Sequence, residues 1–369
     1  MRMSKRSKDR VRGDQCEDVV TATSATPLLE VRDLAIDFRT HDGTFRAVDG
    51  VSLSIEAGRA LGVVGESGCG KSVTALSIMG LIPQPPGIIA SGSIRFEGRD
   101  LLALPPAAMR DLRGNHIAMI FQEPMTSLNP AFTIGDQIIE GLLRHTKMTR
   151  DEARRHAIEM LDRVRIPSPD KRIDDYPHRL SGGMRQRAMI AMSLACEPQL
   201  LIADEPTTAL DVTIQAQILD LMRTLRRETG TAVMLITHDL GVVAEFADDV
   251  MVMYAGRVVE RASVDALFDE PQHPYTIGLL GSIPRLDLDQ DRLAAIEGQV
   301  PMRISNIRGC AFAPRCPFAI DKCRAESPPL MEIRQGHQAA CWRAPLDAGD
   351  ATTVAPSLAV APHDHASVG

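Results

Sequence analysis

Apolar residues in this chain gather into short runs, and what ends each run carries the information. Ala60-Leu-Gly-Val-Val64 reads as a buried strand, and the small and apolar spacing from Lys71 to Met79 predicts a helix. The glycines between them therefore occupy a strand-to-helix turn. Gln199-Leu-Leu-Ile-Ala-Asp204 is a second strand, ending on an acid, and Thr231-Ala-Val-Met-Leu-Ile236 a third, followed by Thr237-His238-Asp239. Upstream, Leu28 to Ile55 predicts alternating strands about a turn at His41-Asp-Gly43. From Glu123 to about Leu180 the spacing is helical with charged faces, as in Thr149-Arg-Asp-Glu-Ala-Arg-Arg155. Strands alternating with helices predict an α/β core. The first 27 residues read as a disordered tail. After Trp342 the chain turns to Ala, Pro, Asp and His, a flexible tail in which His363 and His365 are expected to be solvated.

The strand-to-helix turn has a specific chemistry. Gly65-Glu-Ser-Gly-Cys-Gly-Lys71-Ser72 is a complete phosphate-loop pattern. Gly65, Gly68 and Gly70 let successive N–H groups point inward, and the helix start adds positive partial charge. The stretch from Gly65 to Val73, with Ser67 and Cys69 inside it, is thus expected to cradle phosphates. Lys71 reaches the terminal ones and the Ser72 hydroxyl ligates Mg²⁺. Asp204 ends its strand where a carboxylate can support the metal, and Glu205 is placed to orient or deprotonate an attacking water. His238 offers a contact to the terminal phosphate. Each feature has a bland reading alone: a glycine turn, solvated carboxylates at a strand end, a satisfied histidine. Their order in one chain points to ATP hydrolysis.

In that order these elements resemble the nucleotide-binding subunits of ABC transporters, over about Leu28 to Leu280. Ser181-Gly182-Gly183 matches the family's signature, Gln122 its glutamine loop, Thr208-Ala-Leu-Asp211 its D-loop and His238 its switch histidine. Met184 stands where the commonest signature has Gln, without removing the serine and glycines. The resemblance implies an ABC-type P-loop NTPase with a mixed sheet core and a helical subdomain inserted at about 123–190. It also implies head-to-tail pairing, each ATP lying between one subunit's phosphate loop and the other's Ser181 to Gly183 and Asp211. Gln122 is then a hinge that reaches the metal or the water. An aromatic residue stacks on adenine in this family; Phe45 and Phe38 are the candidates, Phe45 the one carried forward.

Three further stretches, Phe121-Gln-Glu-Pro-Met-Thr-Ser-Leu-Asn-Pro130, Tyr176-Pro-His-Arg-Leu-Ser-Gly-Gly-Met-Arg-Gln-Arg187 and His273-Pro-Tyr-Thr276, look like the dipeptide and oligopeptide importer branch, which nickel importers share. That branch implies a second ATPase subunit, usually a paralogue, two transmembrane permease subunits and an extracytoplasmic solute-binding protein, with this chain at the cytoplasmic face of the cell membrane.

Composition limits the alternatives. The chain has 369 residues, 44% of them hydrophobic, ample for a core, and a formal net charge of -7, which argues against a nucleic-acid binder. No stretch approaches the ~20 apolar residues that cross a bilayer. The basic start, Met1-Arg-Met-Ser-Lys-Arg-Ser-Lys8, lacks the apolar segment of a secretory signal.

Four of seven cysteines fall in one segment, Cys310, Cys316, Cys323 and Cys341. A reducing compartment disfavours disulfides. The irregular separations, with Cys316 followed by Pro317, suit a [4Fe-4S] cluster; zinc and unliganded packing remain open. Gly298 to Trp342 resembles the C-terminal extension of peptide importer ATPases, about fifty residues for which an inorganic staple would contribute much of the stability. Cys16, Cys69 and Cys196 have bland readings. The organisation expected is a tail to residue 27, an ATPase domain at 28–290, a cysteine-rich module at 291–345 and a tail from 346. A non-transport ABC ATPase and a redox-sensing interaction module are the competing classes. The first lacks its usual fused second ATPase unit or long coiled insertion.

Overall fold

The computed structural model describes residues 26–41, 43–123, 127–207, 212–282, 296–301 and 307–346. Among them the strands form two sheets. In the first, β1 (Leu29–Thr40) and β2 (Gly43–Ile55) pair antiparallel, and β4 (Gly87–Phe96) and β5 (Arg99–Asp100) follow in the order β2-β1-β4-β5. Alternation of buried and exposed positions gives this sheet one apolar face.

The second sheet runs β11-β12-β10-β9-β3-β8-β7-β6. Its parallel centre is β3 (Ala60–Val64), β8 (Ala232–Thr237), β7 (Leu200–Asp204) and β6 (Ile117–Ile120), with β9 (Asp249–Tyr254) parallel to β3 on the other side. Every residue of β3, β6, β7 and β8 is buried, as expected for parallel strands covered on both faces. In β7 the pleat divides the load. Leu200 and Ile202 pack with Leu29, Ile36 and Phe96 of the antiparallel sheet. Leu201 and Ala203 face a core built with helices. That core draws on α1 (Ile134–His145), α2 (Arg150–Arg163) and α3 (Gly182–Leu194), all lying between β6 and β7, and on α4 (Val212–Thr229). Local sequence sets their starts. Thr133 caps α1, and Thr149 with Glu152 forms a reciprocal capping box on α2.

Beyond β9 the sheet turns antiparallel. Ala255 and Gly256, both with positive φ (45° and 74°), make the tight turn into β10 (Arg257–Ser263). The far end of the chain then joins the sheet: β12 (His337–Ala339) pairs with β10, Glu260 opposite Ala339, and β11 (Met331–Arg334) closes the edge. Glu260 holds this junction. Its carboxylate is fully buried, accepts the main-chain N–H groups of Gln272 (2.6 Å) and His273 (3.0 Å), and lies 2.8 Å from His337 Nε2. Cys310 and Phe312 pack on the same side against Tyr254 and Tyr275. No helix among the described residues is long and apolar enough to cross a membrane.

Glu260→Ala strands two buried N–H groups and His337 at once. We expect it to lower the unfolding free energy by about 3–5 kcal/mol, read from the urea midpoint of the full chain; a loss below about 1 kcal/mol would show that the clamp is dispensable.

Candidate functional site

Parallel register brings the polar strand ends together. Val64 lies opposite Thr237, and Asp204 opposite Ile236, so the residues that follow β3, β7 and β8 emerge side by side. After β3 the chain makes a tight turn on glycines. Gly65 has φ +153°, and a Cβ there would lie 2.2 Å from the Met253 carbonyl oxygen. Gly70, at φ +101°, leaves no room beside the Ala47 carbonyl oxygen. The helix from Lys71 to Ile78 follows directly.

Lys71 is 5% exposed, and its ammonium donates to the carbonyl oxygens of Gly65 (2.6 Å) and Glu66 (3.0 Å). The Ser72 hydroxyl donates to Asp204 Oδ1 at 3.1 Å. Burial pushes the Asp204 carboxyl above the usual range, and the neighbouring Glu205 pushes the same way. Glu205 sits at φ +46°, a left-handed conformation that a non-glycine residue adopts at a cost. Its amide donates to the Ile236 carbonyl, one step beyond the β7–β8 ladder. The Gln122 side-chain amide donates to Glu205 Oε2 at 3.0 Å, and His238 Nδ1 lies 3.5 Å from Glu205 Oε1. The carboxylate is nearly enclosed while His238 is 60% exposed, so a group arriving from solvent meets the imidazole first.

A pocket of about 380 Å³ collects these features. Phe38, Phe45, Ala47, Ser67, Gly68, Gly70, Lys71, Ser72, Val73, Gln122 and Glu205 line it. Phe38 and Phe45 are cross-strand partners whose rings stack at 5.5 Å, so both aromatic candidates stand at its mouth. Asp204 and His238 reach the pocket through Ser72 and Glu205. The Cys69 side chain is buried, with Sγ 3.8 Å from the Lys71 ammonium, and does not line it. Neither do Ser181, Gly182 and Gly183. Ser181 caps α3 by accepting the Met184 N–H, and Gly182 has open space where a Cβ would go. Asp211 lies outside the described residues.

The chain is similar to known proteins along most of its length. Residues 48–208 match the family model described as ABC transporter, and residues 259–323 the one described as oligopeptide/dipeptide transporter, C-terminal region. It is 57% identical over 317 residues to the probable peptide ABC transporter ATP-binding protein y4tR of Sinorhizobium fredii, covering 86% of this chain and 95% of that protein. It is 50% identical over 336 residues to the oligopeptide transport ATP-binding protein OppD of Bacillus subtilis, covering 91% and 93%. This chain belongs to the ATP-binding subunits of peptide ABC transporters. Among solved structures, the ATP-binding cassette MJ0796, a dimer in a post-hydrolysis state with ADP and Pi, matches at TM-score 0.58 and 26% identity, over 64% of this chain and 98% of that one. The match supports the ABC cassette fold for this peptide-transporter subunit.

The cysteines converge, but no metal site is shown among the described residues. Cys310, Cys316, Cys323 and Cys341 line one small cavity of about 10 Å³, and the described cysteines are free thiols. Yet no group of three or more His, Cys, Asp or Glu side chains among the described residues stands in metal-holding geometry, so neither the expected iron–sulfur cluster nor zinc is shown. Burial pushes the Cys316 thiol up to about 12 and that of Cys341 to about 11, while the Arg343 N–H donated to Cys341 Sγ acts the other way.

Two residues that hold the phosphate loop were not foreseen. Tyr275 Oη accepts the Glu66 N–H at 2.8 Å, and Arg315 donates to the Glu66 carboxylate at 3.1 Å. Nothing in the spacing of the chain pairs residues so far apart.

Gly65→Ala meets both a left-handed φ and a blocked Cβ. A stability loss of at least about 1–3 kcal/mol is expected from the strain, measured by chemical denaturation, with loss of ATP binding in whatever folds; a chain that binds ATP normally would contradict the geometry.

Proposed function

We propose that the chain hydrolyses ATP to energise the import of di- or oligopeptides, working with membrane permeases. The observation that carries the chemistry is Glu205, gripped by Gln122 and contacted by His238, beside the Lys71 and Ser72 of the phosphate loop. In this reading the loop from Gly65 to Val73 cradles the phosphates and Lys71 exchanges its carbonyl partners for the terminal ones. Phe45, stacked on Phe38, offers its face to the adenine. Ser72 and Asp204, 3.1 Å apart, present the hard oxygen donors that Mg²⁺ takes, and Gln122 lines the same pocket as Ser72. When bound, the metal would neutralise charge developing on the phosphates. Glu205 accepts the proton of the attacking water, Gln122 fixes the carboxylate, and His238 approaches the terminal phosphate.

The Ser181 to Gly183 helix start stands apart from this pocket, which supports completion of the site by a second ATPase subunit, as MJ0796 pairs in its dimeric structure. Asp211 is assigned to the same subunit contact. The helices between β6 and β7 are read as the inserted subdomain that faces the permeases, from about 123 to 190. Matching of the C-terminal region, together with the names of the relatives, supports peptides over nickel or another solute and over a non-transport role. A solute-binding protein outside the membrane completes the assembly, with this chain at its cytoplasmic face. We also infer that the four convergent thiols receive a metal centre, a [4Fe-4S] cluster by their separations, after deprotonation and a small closing movement.

Assembled with its membrane partners, the chain should show ATP hydrolysis stimulated by peptide. Glu205→Gln is expected to lower kcat at least about 100-fold while ATP still binds within about threefold of the unmodified chain; unimpaired turnover in steady-state assays removes Glu205 as the base. Anaerobically purified chain should carry about four irons per molecule and absorb in the visible from thiolate-to-iron charge transfer. Colourless, iron-free protein would leave the cysteines as packing residues.

A further inference from the structure

The phosphate loop is gripped from outside the nucleotide pocket by residues 209 and 249 positions downstream. Tyr275 takes the Glu66 N–H, and Arg315 takes the Glu66 carboxylate. The Arg315 guanidinium is 6% exposed and fully engaged. Besides Glu66 Oε2 (3.1 Å) it donates to Tyr254 Oη (3.3 Å) and to the main-chain oxygens of Glu297 (2.7 Å) and Ile296 (2.9 Å). It also lies 5.7 Å from the Tyr254 ring centre and 5.9 Å from that of Phe312. Most of the groups that orient it therefore lie outside the loop.

An acid on a loop that receives a polyphosphate is a liability, since like charges repel and a free carboxylate competes for the loop's own cation. That cation is close. The Lys71 ammonium is held 3.0 Å from the main-chain carbonyl oxygen of this same residue, Glu66. We propose that Arg315 is a positioning residue for nucleotide binding: it neutralises Glu66 and holds the carboxylate away from Lys71, which leaves the lysine for the terminal phosphates. The C-terminal module thereby reaches the ATP site through the Arg315–Glu66 ion pair. The inference rests on the ATPase reading above.

The test uses the full chain, Mg²⁺ and the non-hydrolysable analogue AMP-PNP, titrated calorimetrically, with circular dichroism as the check on folding. Arg315→Gln should bind AMP-PNP about tenfold more weakly, within the usual range of coupling between sites. Adding Glu66→Ala to that chain should restore affinity to within about threefold of the unmodified one, because the acid that needed neutralising is gone. A merely structural arginine would not be rescued, so an unrescued double variant overturns the proposal, as does an Arg315→Gln chain of normal affinity. The loop's cradle is its main chain, and the Glu66 side chain does not line the pocket, so Glu66→Ala alone should bind at least as tightly as the unmodified chain; weakening beyond about threefold overturns the proposal even where Arg315→Gln does not fold. Absence of AMP-PNP binding by the unmodified chain removes the nucleotide reading itself, a failure visible before any variant is compared.

Discussion

The phosphate-loop side of the candidate site depends on the register of the parallel strands. With Val64 opposite Thr237 and Asp204 opposite Ile236, the turn after β3, the acid pair after β7 and the histidine after β8 leave the sheet at one edge. Ligand sites in open parallel sheets form at that carboxyl edge because side chains from neighbouring strands converge there on a crevice. A shift of one residue in any of these pairings would send each ladder residue's side chain to the opposite face. Full burial of β3, β7 and β8 makes such a slip costly. The apolar runs thus do more than form a core; they fix where the charges stand.

Strain is placed at the same edge. Glu205 holds a left-handed backbone conformation, and the ladder bond from its amide to Ile236 keeps it there. Gln122 then fixes the carboxylate from another strand end, and His238 stands nearer to solvent. Asp204, one residue earlier, points to Ser72 instead. Two adjacent acids thereby meet different partners, one the loop serine and the other the glutamine and histidine.

Much of this was legible from the residues. The glycine pattern from Gly65 to Gly70 announces a turn that needs positive φ, and the apolar runs ending at Asp204 and Ile236 announce buried strands; both depend on chemistry within a few positions. The aromatic choice was harder because Phe38 and Phe45 are partners in one cross-strand pair, so no property of either residue separates them. The grip of Arg315 and Tyr275 on Glu66 was out of reach, since it arises from how distant segments fold over each other. For the cysteines the spacing suggests more than the described geometry shows. Four thiols are close in sequence, but ligation requires ionised sulfurs aimed at one point; burial favours the neutral thiols, while local N–H donors favour the thiolate.

The pairing of β12 with β10 has one more consequence, which concerns the order of events on the ribosome. A growing chain emerges from its amino end, so the whole nucleotide-binding sheet can assemble while β10 still displays a row of unpaired main-chain donors and acceptors. Only when residues near 339 leave the tunnel is that border sealed. Residues 331–339 therefore act as a hem, and a chain lacking them would leave β10 with one raw, adhesive margin.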